Sequence, residues 1–262
     1  MKFLSSVLAA AVLSLGAAAP VLSASVTLYD QDFESPAGFV NGAGSGYSDL
    51  SQQQVNDLYA NQPAGFTFEQ AFTVETMLIG GSLAFGSGYS DPGGTFGSYA
   101  IGMLGSAQND LLGLSFNVGD FDFFNFRVDI SSIGLHGGPG SPFASASDVP
   151  IFRFRLYDNP LGTATVGGGT LLDEGDLTGV ASELNVVAPT RGIFSFDASG
   201  STNGNVTLQI DLIQGGYGIM DNFLITASDT AGGGIDVVPV PASLPLLLAG
   251  LGGFGLLRRR RG

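Results

Sequence analysis

Three acidic residues, two near the start of the chain and one near its end, are the side chains best suited to bind a cation. They are Asp32, Glu34 and Asp221. Carboxylate oxygens are the ligands that Ca²⁺ prefers, and the ion takes about six to eight oxygens. Inside a protein, unpaired carboxylates would repel one another, which favours a bound cation or exposure to solvent. The alternative is that Asp221 and the following Asn222 cap a turn or bulge at the start of a strand.

The remaining residues give little support for catalysis. His136 is the only histidine, and no Gly-x-Ser-x-Gly motif accompanies it, so a serine-hydrolase triad is not indicated. The lack of Cys excludes thiolate metal sites and Cys nucleophiles. Because Lys2 is the only lysine, a phosphate-binding Gly-x-x-x-x-Gly-Lys motif is also excluded. We predict no catalytic and no cofactor-binding residue, and we keep a glycan-active hydrolase with a pair of acids as the alternative.

The distribution of charge argues against nucleic acid as a partner. The chain has 9 Lys and Arg residues against 23 Asp and Glu residues. The basic residues at the two ends are Lys2 and the cluster from Arg258 to Arg261. The part between them has 4 basic and 23 acidic residues, a net charge of −19. A body this acidic would be repelled by phosphate backbones.

The N-terminus has the three parts of a secretory signal peptide. Lys2 gives the positive start, residues 3–16 are almost entirely apolar, and small residues precede Ala24. The apolar stretch is short for a membrane span. We predict that the secretion machinery exports the chain and that cleavage after Ala24 removes residues 1–24. An uncleaved membrane anchor is the alternative.

The C-terminus combines a Pro-containing motif, an apolar segment and a basic cluster. Residues 237–257 are just long enough to span the hydrocarbon core as a helix, and the basic cluster would stay on the cytoplasmic side of the inner membrane. The prolines keep the motif extended, the form that a protease binds. The motif is Val238, Pro239, Val240, Pro241 and Ala242, the apolar segment is residues 243–257, and the cluster is Arg258, Arg259, Arg260 and Arg261.

This tail (residues 238–262) resembles the PEP-CTERM sorting signal in its Val-Pro-x-Pro-Ala, or VPLPA-CTERM-like, variant. The resemblance implies that an exosortase, an integral-membrane enzyme like a cysteine transpeptidase, recognises and cuts residues 238–242. The protein would be held transiently in the inner membrane by residues 243–257 and then reach the cell surface or the extracellular matrix of a biofilm. Val240 replaces the Glu of the family's name, which leaves open which exosortase acts. A tail anchor that is never processed is the alternative.

Residues 25–229 are predicted to form an all-β body. Apolar and polar side chains alternate in Phe124–Ile130, Ile151–Tyr157 and Asn205–Ile213, which is the period of a half-buried strand. Many short strands separated by Gly-rich turns, such as Asn203-Gly204, favour a jelly-roll-like antiparallel β-sandwich. Further strands are predicted at residues 26–29, 66–74, 111–118, 193–196 and 217–226.

Two segments of the sequence do not have the pattern of strands. Residues 48–60 favour a short helix, and residues 230–237 have the composition of a Gly-rich linker between the body and the sorting tail. The 20 Phe residues predict a core rich in aromatic side chains.

The segment from Gly215 to Ile225 resembles the closing strand of carbohydrate-binding jelly-roll modules. A Tyr-x-x-x-Asp-Asn-aromatic run recurs there. In this sequence the run is formed by Tyr217, Asp221, Asn222 and Phe223. In such folds the first and last strands lie side by side. The resemblance therefore implies that Asp32, Glu34 and Asp221 meet, and we predict a Ca²⁺ site at this place.

Taken together, these features predict an exported, non-enzymatic module on the cell surface or in the matrix. Its expected partners are the secretion machinery, an exosortase and an exopolysaccharide. A purely structural protein without any ligand is a further alternative to the hydrolase. Cation dependence would separate such a protein from a module stabilised by Ca²⁺.

Overall fold

The computed structural model describes residues 24–38, 59, 62–63, 67–68, 74–79, 90–105, 111–132, 149–162, 166, 168–181, 183 and 186–235. Within these ranges the chain forms strands in two antiparallel sheets, and no helix occurs. The predicted all-β class is therefore confirmed. The strands are β1 (Ser25–Gln31), β2 (Thr67–Phe68), β3 (Val74–Leu78), β4 (Tyr99–Gly105), β5 (Leu111–Asn117), β6 (Phe123–Ser132), β7 (Ile151–Asp158), β8 (Thr170–Thr178), β9 (Thr190–Asp197), β10 (Asn205–Gln214) and β11 (Gly216–Ser228).

The two sheets pack face to face as a β-sandwich. The six-stranded sheet has the order β3-β4-β11-β6-β9, with β1 also paired to β11, and the five-stranded sheet has the order β2-β5-β10-β7-β8. Most neighbours in both sheets are distant in sequence. This connectivity is that of a jelly roll and differs from a simple chain of hairpins. The first and last strands lie side by side, as the sequence resemblance implied.

The core between the sheets is rich in aromatic side chains, as predicted. The ring of Phe126 lies 5.3 Å from the ring of Phe154 and 5.2 Å from that of Phe223. Phe223 in turn lies 5.1 Å from Phe33, just beyond β1. Edge-to-face pairs of this kind contribute about 0.5–1.5 kcal/mol each beyond the burial of their area. The cluster therefore ties both sheets to the first and last strands.

The predicted strands correspond to most of the observed ones. The predicted strand at residues 66–74 corresponds to the short β2 and the beginning of β3, which are separate strands. Strands β4 and β8 were not predicted. Of the predicted helix at residues 48–60, only Tyr59 is described, and it lies outside any regular element.

The segment expected to be a flexible linker begins with an ordered turn, which corrects that prediction for residues 230–235. Asn125 on β6 donates to the carbonyl of Gly233 at 3.1 Å and accepts from the amide of Gly232 at 2.7 Å. Ile235 is buried. The turn is ordered because Asn125 supplies both the donor and the acceptor that its backbone needs.

The predicted sorting elements lie outside the described residues. These are the signal peptide before Ala24, the motif at residues 238–242, the apolar segment 243–257 and the cluster 258–261. In the part of the chain that the structure describes, no helix has the length and apolar character needed to cross a membrane.

Candidate functional site

The pairing of β1 with β11 brings the two acidic segments together. Gln31 lies opposite Phe223, so Asp32 and Glu34 follow directly after the paired residues. Asp221 is 1% exposed. Burial raises the pKa of the Asp221 carboxyl to about 9, and the nearby carboxylates of Glu34, Asp32 and Asp129 raise it further. We call these four carboxyl groups the acidic cluster.

Glu34 is fixed by the backbone of the loop that precedes β4. Its carboxylate accepts from the Ser98 amide at 2.8 and 3.0 Å and from the Tyr99 amide at 3.1 Å. Gly97 has a positive φ of 55°, and a Cβ at this position would lie 2.3 Å from Glu34 Oε1. Only glycine lets the loop close around this carboxylate.

A bulge in β11 shapes the other side of the acidic cluster. The register with β6 shifts between Asp221 and Leu224, and Asn222 has a φ of 55°. Asn tolerates this left-handed conformation better than most residues. The Asn222 side-chain amide donates to the Thr95 carbonyl at 2.8 Å and to Asp129 Oδ2 at 3.0 Å. The alternative that Asp221 and Asn222 form a bulge is thus confirmed, although the bulge lies within the strand.

The carboxylates of the acidic cluster do not form a metal site on their own. Among the described residues, no group of three or more His, Cys, Asp and Glu side chains could hold a metal ion. The Asp32 carboxylate accepts from the Glu34 amide at 3.2 Å, within its own segment. A cation bound here would need carbonyl or amide oxygens in addition. The Ca²⁺ site therefore stays a prediction.

A second concave site lies at the end of the sandwich where β6 begins and β9 ends. It is a pocket of about 280 Å³ between the β5–β6 loop and the β9–β10 loop. Carboxylate, hydroxyl and amide groups dominate its wall, and the side chain of Phe121 packs against the core of the sandwich. The lining residues are Gly119, Asp120, Phe121, Asp122, Ala198, Ser199, Ser201, Thr202, Asn203 and Gly204. We call it the loop pocket.

Backbone contacts join the two loops of the pocket into one unit. The Val118 amide donates to the Gly204 carbonyl at 2.8 Å, and the Ala198 amide donates to the Asp122 carbonyl at 2.7 Å. Gly204 has a φ of 80°, and a Cβ there would lie 2.7 Å from the Gly119 carbonyl oxygen. The turn predicted at Asn203-Gly204 is therefore present, and it also makes the close contact between the loops possible.

Asp158, at the end of β7, fixes the β9–β10 loop, which forms one wall of the loop pocket. Its carboxylate accepts from the Thr202 amide at 3.0 Å, the Thr202 hydroxyl at 2.5 Å and the Ser201 hydroxyl at 3.2 Å. The hydrogen bond from the Thr202 hydroxyl is the main cause that lowers the pKa of Asp158. An ionised acceptor fixed by three donors makes the loop rigid before any ligand arrives.

Two carboxylates of the loop pocket are exposed and available to a ligand. Asp120 and Asp122 flank Phe121, and neither forms an ion pair among the described residues. Sequence analysis did not single out these residues. The pocket depends on contacts between loops about 80 residues apart, and the local signal was limited to the Asn203-Gly204 turn.

His136, the only histidine of the sequence, lies outside the described residues.

No family model matches the chain, and no curated protein matches it. Among solved structures, the chain is similar to the CBM22-1 xylan-binding domain of Paenibacillus barcinonensis Xyn10C. The two are 10% identical, the match covers 80% of this chain and 99% of the xylan-binding domain, and the TM-score is 0.41. TmCBM61, solved with β-1,4-galactotriose, is similar with 9% identity, 63% and 89% covered, and a TM-score of 0.35. The C-terminal CBM6 of LamC, a marine laminarinase from Zobellia galactanivorans, has 14% identity, 63% and 93% covered, and a TM-score of 0.35.

These similar structures are carbohydrate-binding modules. At identities of 14% or less and TM-scores of 0.41 or less, the similarity does not establish what this chain binds. Any ligand must therefore be argued from the sites of this chain itself.

Proposed function

We propose that the protein is an exported, non-enzymatic module of the cell surface or matrix that binds polysaccharide in the loop pocket. The observation that carries this proposal is the combination, in one concavity, of exposed carboxylates with hydroxyl and amide groups. A few well-placed polar groups fix the orientation of a ligand in its binding site. A sugar ring presents hydroxyl groups that can exchange hydrogen bonds with the polar groups of the pocket.

The charge of the loop pocket favours neutral sugar residues. Asp120 and Asp122 accept hydrogen bonds from hydroxyl groups, and charge-assisted hydrogen bonds of this kind are stronger than neutral ones. The same two carboxylates would repel phosphate or carboxylate ligands. A neutral segment of an exopolysaccharide is the ligand class that fits both the shape and the charge of the pocket.

The hydrolase alternative has one observation in its favour, the raised pKa of Asp221 beside Glu34. A carboxyl group that keeps its proton is what a general acid needs. However, Asp221 is 1% exposed, and the Glu34 oxygens are occupied by backbone amides. A polymeric substrate has no access to such a pair, so we assign the acidic cluster to stability and not to chemistry.

We propose that the Ca²⁺ predicted from the sequence binds at the acidic cluster and neutralises it. Hard oxygen donors suit this ion, and carbonyl or amide oxygens would complete its ligands. Bound there, a cation would replace the proton that Asp221 otherwise retains.

We also propose that the tail at residues 238–262 delivers the protein through an exosortase, after anchoring in the inner membrane. The motif, apolar segment and arginine cluster of the sequence support this proposal. Intact mass of the protein recovered from culture and cell surface tests it. The expected mass begins at Ser25 and ends within residues 238–242, whereas a mass that retains residues 243–262 would contradict it.

The binding proposal is tested by affinity electrophoresis of the purified protein through gels that contain neutral polysaccharides, such as xylan, galactan and laminarin. At least one of them should retard the wild-type protein. Asp120→Asn and Asp122→Asn should each weaken that retardation, whereas Asp229→Asn, an exposed acid outside the pocket, should not. Lack of retardation by every polysaccharide would contradict the proposal, as would equal retardation of all variants.

A further inference from the structure

Arg127 differs from the other arginines of the sandwich because it has no acidic partner in the part of the chain that the structure describes. Each of the other three is in an ion pair: Arg153 with Asp176 at 2.7 Å, Arg155 with Glu174 at 3.2 Å, and Arg191 with Asp129 at 2.8 Å. Among the described residues, Arg127 forms no ion pair, and its Nε is buried without a hydrogen-bond partner. A body with a net charge of −19 thus contains a guanidinium group that no carboxylate of the described chain neutralises.

Arg127 lies on the outward face of the six-stranded sheet, in a row of four side chains. Cross-strand pairing places Asp30 opposite Leu224, Leu224 opposite Arg127, and Arg127 opposite Ile193. Directly opposite residues of antiparallel strands point to the same side of the sheet. Ile193 is 46% exposed and Leu224 is half-buried. The guanidinium is therefore flanked on both sides by apolar side chains that solvent reaches.

The rows next to this one are covered by other parts of the chain. On one side, Asn125 is bonded to the turn at residues 229–235. On the other side, Asn222, next to Asp129, is bonded to the loop that contains Thr95. Asn125 and Asp129 are four residues apart on β6, or about 13 Å. The row of Arg127 is thus a strip between two covering segments, and it crosses the sheet.

The charge of the strip is positive at its centre. Asp30 is the one carboxylate in the row, and it lies two strands away from Arg127, about 10 Å. This separation is about one Debye length at physiological ionic strength, so solvent screens most of its influence. The strip therefore suits an anionic group that approaches Arg127 directly, even though the whole body is acidic.

We propose that this strip binds the carboxylate of an acidic sugar, such as a uronic acid residue of a polysaccharide. The planar guanidinium matches a carboxylate with two parallel hydrogen bonds. Leu224 and Ile193 can pack against the C–H face of the sugar ring next to that carboxylate. The inference rests on the proposed polysaccharide binding but concerns a different surface and a different class of sugar from the loop pocket.

The test compares polygalacturonate with fully methyl-esterified polygalacturonate, which keeps the sugar ring and lacks the charge. At physiological salt, the purified wild-type protein should bind the acid form and not the ester. Arg127→Gln should weaken binding of the acid form by about tenfold to a hundredfold, the range for a lost charge-assisted pair. Arg127→Lys should also weaken it, because Lys lacks the planar fork. Arg153→Gln, which removes a partly exposed arginine on the other sheet, should leave it unchanged.

The outcomes separate this inference from the proposed function. Equal binding of the acid form by wild type and Arg127→Gln would overturn the inference, as would no binding of the acid form. Equal binding of poly-glutamate would also overturn it, because the strip would then recognise any carboxylate and not an acidic sugar. Binding of polygalacturonate that depends on Arg127, without retardation by any neutral polysaccharide, would support the strip and contradict the loop pocket.

Discussion

Asp221 shows how burial changes the chemistry of a single residue. A carboxyl group in water has a pKa near 4, but Asp221 sits under the covering loop with three other carboxylates around it. Burial is the largest cause that raises its pKa to about 9, and the neighbouring negative charges act in the same direction. Without a cation, Asp221 is therefore protonated at neutral pH, and its proton limits the repulsion within the acidic cluster.

The raised pKa of Asp221 predicts that stability without Ca²⁺ falls as pH rises. Above about pH 4, the folded state still binds a proton on Asp221 that the unfolded state has released. The stabilisation that this proton gives is therefore fully present below about pH 4. It is lost as pH rises towards about 9, by at most about 1.4 kcal/mol for each pH unit. Urea unfolding in chelator at several pH values measures this slope.

The matched variants are Asp221→Asn, which keeps the shape without the titration, and the exposed Asp229→Asn. The slope between about pH 5 and pH 8 should be much smaller in Asp221→Asn than in wild type and unchanged in Asp229→Asn. A wild-type protein whose stability rises with pH over this interval would show that Asp221 is ionised in the fold.

At the scale of elements, the loop pocket depends on two glycines with different surroundings. Both Gly119 and Gly204 have a positive φ, but a Cβ on Gly119 meets nothing within 4 Å. A Cβ on Gly204 would lie 2.7 Å from a backbone oxygen of the facing loop. Backbone atoms cannot rotate away as a flexible side chain can, so the second substitution must move the loops apart.

Gly204→Ala should therefore cost more stability than Gly119→Ala. The left-handed conformation alone costs about 1–2 kcal/mol, which is the expected effect for Gly119→Ala. Gly204→Ala adds the backbone clash, so about 2–5 kcal/mol is expected from guanidinium unfolding. Equal costs for the two variants would mean that the loops do not approach as closely as the structure shows.

Elements with a clear pattern could be predicted from the sequence. In β7, Phe152 and Phe154 face the core while Arg153 and Arg155 face outward, and this alternation was visible in the sequence. Strand β8 was missed because its acidic residues have low strand propensity. The sheet accepts them since Arg153 and Arg155 on β7 pair with them, and charged residues are common on edge strands.

The candidate sites were predictable only where the sequence contained a local motif. The run around Asp221 and Asn222 located the acidic cluster, but it did not show that backbone amides would occupy Glu34. The loop pocket and the strip around Arg127 contain no motif, because each combines residues from distant strands or loops. Their chemistry depends on register and on what covers the sheet, and neither is a property of a short segment.

At the scale of the whole molecule, the acidic cluster lies where the first and last strands close the sandwich. Asp32 and Glu34 follow β1, and Asp221 belongs to β11, so a cation between them would join the two ends of the body. Binding to the folded state alone stabilises it, by about 2.7 kcal/mol when the free ion is at 100 times its dissociation constant. Such an ion would act on global unfolding and not only on one loop.

Removal of Ca²⁺ should accordingly lower the melting temperature by about 5–10 °C for a domain of this size. Calorimetry in Ca²⁺ and in a Ca²⁺ chelator measures the difference. Mg²⁺ serves as the control ion, because it demands a stricter geometry and holds its water tightly. A melting temperature that is the same in Ca²⁺ and in chelator would contradict the cation proposal and leave Asp221 as a buried, protonated acid.

The most direct test of the central claim is hydrogen–deuterium exchange of the purified protein, alone and saturated with the neutral polysaccharide that retards it most. The claim is that the loop pocket binds polysaccharide, so exchange should slow in residues 118–122 and 198–204. Exchange in β3, at the edge of the six-stranded sheet away from β6 and β9, should not change. Slower exchange confined to other segments, or none at all in the two pocket loops, would contradict the account.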